Sequence, residues 1–130
     1  MGLRTGTDIV SVARLEALIT AQGSTFLQRW FTPQEIRYCT GKAFPSRHFA
    51  ARLAAKEAVV KGLRLAADEP VPFACIEIVH DEHGAPLARL SGRVQEVAAA
   101  AGVLDVQVSL SHCDEYATAV ALVEIGGARR

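Results

Sequence analysis

Arg47 to Leu63, RHFAARLAAKEAVVKGL, decides the reading of this chain. It reads as one long helix, because Ala and Leu dominate and no Gly or Pro interrupts it before Gly62. At about 100° per residue, Phe49, Leu53, Val60 and Leu63 form one large apolar stripe. Ala51, Ala54, Ala55 and Ala58 make a second, nearly all-alanine face. Both broad faces therefore read as buried. Arg52, Lys56, Glu57 and Lys61 run between them, with Glu57 and Lys61 four apart and facing each other. A helix with one ion pair and two snorkelling cations explains this pattern as well as a binding site does.

The chain around that helix is 130 residues long, which predicts one domain over 1–130. Half of it is hydrophobic, ample for a core, and 14 basic residues balance 14 acidic ones. That balance argues against a general nucleic-acid binder but allows a local basic patch for one acidic partner. No apolar run approaches the ~20 residues of a membrane span. The N-terminus, MGLRTGTDIV, lacks the apolar core of a signal peptide, so the expected location is the cytoplasm. Cys39, Cys75 and Cys113 are few, odd in number and far apart, which speaks against a disulfide framework or a zinc site.

Arg4 to Ser11 reads as a short strand with Asp8 in or at the end of it, and Asp is depleted in strands. Either Asp8 or Ser11 is a candidate N-cap for the amphipathic helix Val12 to Ala21. An aromatic segment, Phe26 to Phe31, leads into Thr32-Pro33-Gln34-Glu35, a capping box that opens a helix to about Cys39. Beyond Leu63 the chain turns loop-like through Asp68-Glu69-Pro70. Strands are expected at Phe73 to His80, Leu87 to Leu90, Val103 to Ser111 and Tyr116 to Ile125, with a helix at Arg93 to Ala101. Short turns join the strand pairs, so the fold class is α+β: an antiparallel sheet packed with a long central helix and shorter helices.

Polar groups stand where this pattern does not need them at Asp8, along Arg52–Lys61, and at Ser109-Leu110-Ser111-His112. Two carboxylates with several cations suit Mg²⁺ bound together with a polyphosphate, since Mg²⁺ takes one or two carboxylates and completes its octahedron with water and phosphate oxygens. Lys and Arg then clamp the remaining phosphate charge. A histidine at a strand end can bind phosphate or shuttle a proton. A Ser-His-acid triad fits poorly, because Ser111 and His112 are strand neighbours that point to opposite faces. Walker A and Gly-x-Gly-x-x-Gly patterns are absent.

Taken in order, these motifs resemble the acyl carrier protein synthase family, the small 4′-phosphopantetheinyl transferases. The resemblance runs through Gly6-Thr7-Asp8-Ile9-Val10 with Arg14, Phe31-Thr32 with Glu35, Arg52 to Lys61, Gly84-Ala85-Pro86, and Ser109-Leu110-Ser111-His112 with Tyr116-Ala117. It implies transfer of the 4′-phosphopantetheine arm from coenzyme A to a serine of an apo acyl carrier protein, in fatty-acid or polyketide synthesis, with release of adenosine 3′,5′-bisphosphate. By the same resemblance, Asp8 and Glu57 would hold Mg²⁺ on the pyrophosphate and Lys61 would neutralise phosphate charge, these three forming the catalytic set. Arg52 and Lys56 would line the coenzyme A site, and Ser111 and His112 would bind its 3′-phosphate end. Arg14 would meet acidic side chains of the carrier protein. Glu57, Asp8 or a water at the metal would take the serine proton. The family's short members form homotrimers whose sites lie between subunits, the Asp and Glu from one chain and the Ser-His strand from the next. Leu53 stands where the family commonly has Phe or Trp, and Arg64 to Pro70 replaces a Gly-rich run near the family's coenzyme A site. A non-catalytic module binding coenzyme A or the carrier protein on the same fold is the alternative, and a metal pair is what such a binder need not keep.

Overall fold

The computed structural model describes residues 2–66 and 70–126. The long helix, α4, runs over Pro45–Leu63, and most of the fold, including the strand at each end of the chain, packs on it. The chain opens with β1 (Gly2–Ser11), followed by α1 (Val12–Gln22), α2 (Ser24–Trp30) and α3 (Pro33–Thr40). After α4 come β2 (Ile76–His80), β3 (Pro86–Leu90), α5 (Gly92–Ala100), β4 (Val103–His112) and β5 (Tyr116–Ile125). All strand pairs are antiparallel: β5 lies between β1 and β4 in a three-stranded sheet, and β2–β3 form a separate hairpin. The α+β architecture is as expected. Two expectations change in detail. Phe73–Cys75 is a 3₁₀ turn rather than the start of β2, and the aromatic segment before Thr32 is the short helix α2. Gly23, at φ 60°, ends α1 and begins α2, a conformation that Gly adopts without a Cβ penalty. Part of the loop read at Asp68-Glu69-Pro70 and most of the C-terminal tail lie outside the described residues.

Ser11, not Asp8, caps α1: the Arg14 backbone N–H donates to Ser11 Oγ at 3.2 Å. Asp8 sits inside β1, opposite Ala119 of β5. The capping box of α3 is complete, with the Glu35 N–H donating to Thr32 Oγ1 and the Thr32 N–H donating to Glu35 Oε1.

The alanine face of α4 packs against an alanine row on β5. Ala54, Ala55 and Ala58 share a buried cluster with Ala119, Ala121 and Val123. Small side chains on both surfaces let the helix lie unusually close to the sheet. Gly6 of β1 takes this furthest: a Cβ there would stand 2.0 Å from the Ala58 carbonyl oxygen and 2.7 Å from the Gly62 nitrogen. Both atoms are backbone, so nothing can rotate away. Gly6→Ala is therefore expected to lower stability by about 3 kcal/mol or more, beyond ordinary overpacking, and to pull β1 off α4. Urea denaturation checks this, and an unchanged midpoint would contradict the close approach.

Candidate active site

The close approach of β1 to α4 builds a cleft. Asp8 on β1 and Glu57 on α4 line one cavity of about 340 Å³ with Ile9, Ser11, Arg14 and Leu53. Lys61, one turn beyond Glu57, turns toward the strand. Its ammonium donates to Asp8 Oδ1 at 3.0 Å and to the Thr7 carbonyl at 2.9 Å. The expected Glu57–Lys61 pair is thus replaced by Lys61–Asp8, because the strand carboxylate and carbonyl together offer the ammonium two acceptors. Thr118 Oγ1 donates to the Asp8 carbonyl at 3.0 Å, which ties this point of β1 to β5. Burial pushes the Glu57 carboxyl above its usual range, Asp8 adds repulsion, and Lys61 works against both. Arg14 is exposed at the cleft's rim.

This donor set fits Mg²⁺. Two hard carboxylates face one cleft, and their mutual repulsion is a cost that a divalent cation would remove. Among the described residues no cluster of three or more His, Cys, Asp or Glu forms a self-sufficient metal site. Two protein ligands suit an ion that brings substrate phosphate and water oxygens with it.

The remaining residues expected at the site fall elsewhere. Lys56 is fully buried, and its ammonium donates to Glu35 Oε1 at 2.7 Å, the Ile76 carbonyl at 2.6 Å and the Phe73 carbonyl at 3.0 Å. An ammonium has three donors, and all three are spent in the interior. The expectation that Lys56 lines the coenzyme A site is corrected accordingly: it anchors α4 to α3 and β2. Glu35 in turn accepts from the Ile78 N–H at 2.8 Å through Oε2, so the capping glutamate is also the counter-ion of Lys56.

Arg52 and His112 belong to a second group. Arg52 lies 4.2 Å over the Tyr38 ring and reaches His80 Nδ1 at 3.4 Å. It lines a cavity of about 200 Å³ with Gln34, Tyr38 and His80. The His112 ring packs edge-on against His48 at 5.1 Å. Ser111 lies one residue back on β4, opposite Thr118, and is exposed. Asp8 and Leu110 both pair with Ala119 from its two sides, so two strand spacings separate Asp8 from β4.

Sequence reading did not single out His48, His80 or Tyr38, and it marked Gly6 only as the first residue of the Gly6–Val10 motif, not for its close approach to α4. Gly6 carried a signal, being a small residue opposite small residues. The other three sit on different elements, and no sequence spacing brings them together.

The fold and these motifs define a class of transferase. The sequence model of the 4′-phosphopantetheinyl transferase superfamily matches residues 4–121. The chain belongs to this family. It is 40% identical over 120 residues to a holo-[acyl-carrier-protein] synthase of Syntrophus aciditrophicus, covering 92% of this chain and 94% of the relative. Among solved structures it resembles the coenzyme A complex of the Chronobacterium ammoniagenes acyl carrier protein synthase, with TM-score 0.84, 30% identity, and 98% and 100% of the two chains covered. The Helicobacter pylori holo-[acyl-carrier-protein] synthase in complex with coenzyme A is similar too, with TM-score 0.81, 33% identity, and 92% and 99% covered.

Proposed function

We propose that this protein moves the 4′-phosphopantetheine group from coenzyme A to a serine of an apo acyl carrier protein, as a holo-[acyl-carrier-protein] synthase. The observation that carries the reading is the Asp8–Glu57 cleft with Lys61 in reach, on a chain of this family. Mg²⁺, when bound there, supplies positive charge on the pyrophosphate and orients the leaving group. Asp8 and Glu57 would hold it. Lys61 gives up its contact with Asp8 and takes a phosphate oxygen, which its half-exposed, flexible stem allows. Phosphoryl transfer asks chiefly for this positioning and charge neutralisation. Arg14 at the rim meets acidic side chains of the carrier. Arg52 and His112 take the 3′-phosphate end of coenzyme A, whereas Ser111 stands on the other face of β4; the lack of a carboxylate partner for Arg52 among the described residues favours its role. The enzyme works in the cytoplasm, and no helix among the described residues is long and apolar enough to cross a membrane.

The site is completed between copies of the chain in a homotrimer. What favours this is the outer face of the three-stranded sheet, where Leu3 and Ile9 are each 64% exposed and Tyr116, Val120 and Leu122 stand beside them. An apolar sheet face of that extent calls for a cover. Asp8→Ala and His112→Ala chains, each inactive alone, should regain activity when refolded together, because about a quarter of the sites would then combine two intact halves. No recovery would contradict a shared site.

Adenosine 3′,5′-bisphosphate release from coenzyme A tests the reaction class. It should need both an apo carrier protein and Mg²⁺. Release without carrier would mark a phosphohydrolase instead.

A further inference from the structure

The cavity behind Arg52 holds more positive chemistry than the family motifs account for. Arg52 is 3% exposed, and its Nε has no hydrogen-bond partner. The nearby carboxylate of Glu35 is already taken by Lys56 and by the Thr32 and Ile78 backbone N–H groups. A buried guanidinium without a counter-ion is costly, and an anion relieves that cost. Around it stand Lys42, 4.4 Å over the Tyr38 ring, and His80, tilted against the same ring at 4.9 Å. His48 meets Tyr38 edge-on at 6.2 Å and His112 at 5.1 Å. Three imidazoles, from α4, β2 and β4, therefore converge with Arg52 and Lys42.

Resting on the reading that Arg52 and His112 take the 3′-phosphate end of coenzyme A, we infer that His48 and His80 complete that phosphate site and bind as imidazolium ions, so that phosphate capture is coupled to proton uptake. Neither histidine belongs to a motif of the family resemblance. A guanidinium only donates, so His80 Nδ1 accepts from Arg52 and the ring is neutral in the free protein. Burial holds both rings below the usual histidine value. His112, Arg52, Lys42 and His80 add to this at His48, while Arg52 and Lys42 add to it at His80 and Asp81 opposes.

A phosphate dianion reverses the balance, because it favours the charged ring. Each ring then titrates below its usual value when free and above that free value when phosphate is bound. Between those two values binding takes up a proton, and affinity falls as pH rises. The phosphate's own second ionisation, near pH ~6, works the other way, so the effect is read above it.

Calorimetric titration of the Mg²⁺-loaded protein with adenosine 3′,5′-bisphosphate tests this at about pH 7.5, in two buffers of different ionisation enthalpy. Adenosine 5′-monophosphate, which lacks the 3′-phosphate, is the control. Wild type should take up about one to two protons per bisphosphate, two if both rings are charged fully, and far less with the monophosphate. The His48→Gln/His80→Gln variant should bind the bisphosphate about tenfold more weakly and take up fewer protons. Should the pair prevent folding, as judged by circular dichroism, each single variant should lose part of the uptake. Variants that prefer the bisphosphate and take up protons as wild type does would overturn the inference and leave the phosphate site standing. Wild type binding both nucleotides equally would remove the phosphate site itself, and the inference with it.

Discussion

Glu57→Gln is expected to lower kcat/KM for transfer by about two to three orders of magnitude, the range seen when one preorganised electrostatic group is removed from a reaction centre. The amide keeps the shape of the side chain and its place in the cleft with Asp8. It removes the negative charge that a phosphate-bound Mg²⁺ would need in the proposed reaction. The same substitution should leave the melting temperature unchanged or raise it. Burial and Asp8 both disfavour the Glu57 carboxylate in the folded protein, so its charge is a cost to folding. Lost activity with retained stability is the signature of a group kept for chemistry. A variant that melted early and lost activity only in proportion would show Glu57 to be structural. Asp8→Asn should lose activity on the same scale. It also removes the charge that Lys61 pairs with, leaving the ammonium only neutral acceptors, the amide oxygen and the Thr7 carbonyl.

Lys56→Met gives the opposite pattern, and its stability loss should be among the largest of any single change: about 3–5 kcal/mol, the cost of breaking a buried ion pair from one side. The substitution leaves the Glu35 carboxylate buried without its counter-ion and strands the Phe73 and Ile76 carbonyls. Burial alone lowers the Lys56 ammonium from its usual range, and Glu35 is the main force restoring it. Chemical denaturation of Lys56→Met and Glu35→Gln, singly and together, measures the coupling. The double variant should lose less than the sum of the singles, because each single change already forfeits the shared pair. Strict additivity would mean that the two groups do not depend on one another.

Why Lys56 is buried while Glu57 lines the cleft is a matter of helix geometry. Adjacent residues on α4 point about 100° apart. Glu57 emerges on the side that β1 crosses, whereas Lys56 enters the gap between α3 and β2. The sequence placed both between two buried faces but held no information on which neighbour lies in which gap. Thr32 to Glu35 was fully legible as a cap because the signal is local. The second role of Glu35, as the partner of Lys56, spans a long sequence separation and was invisible. The strands were legible from alternation, while the pairing of β1 with β5 was not, since it joins the two ends of the chain. Alternation did place Ser111 and His112 on opposite faces of β4, and the structure keeps them apart: Ser111 lies opposite Thr118 and His112 opposite Ala117. The cluster of His48, His80 and His112 draws on three elements, so only the folded chain brings it together.

Intact-mass analysis of an apo acyl carrier protein, incubated with this protein, coenzyme A and Mg²⁺, tests the central claim most directly. The account predicts a gain of roughly 340 Da, one phosphopantetheine, on the carrier. The gain should vanish with a chelator and with Glu57→Gln. An unmodified carrier across several carrier types, from a protein that still binds coenzyme A, would contradict it and leave a binding module on this fold.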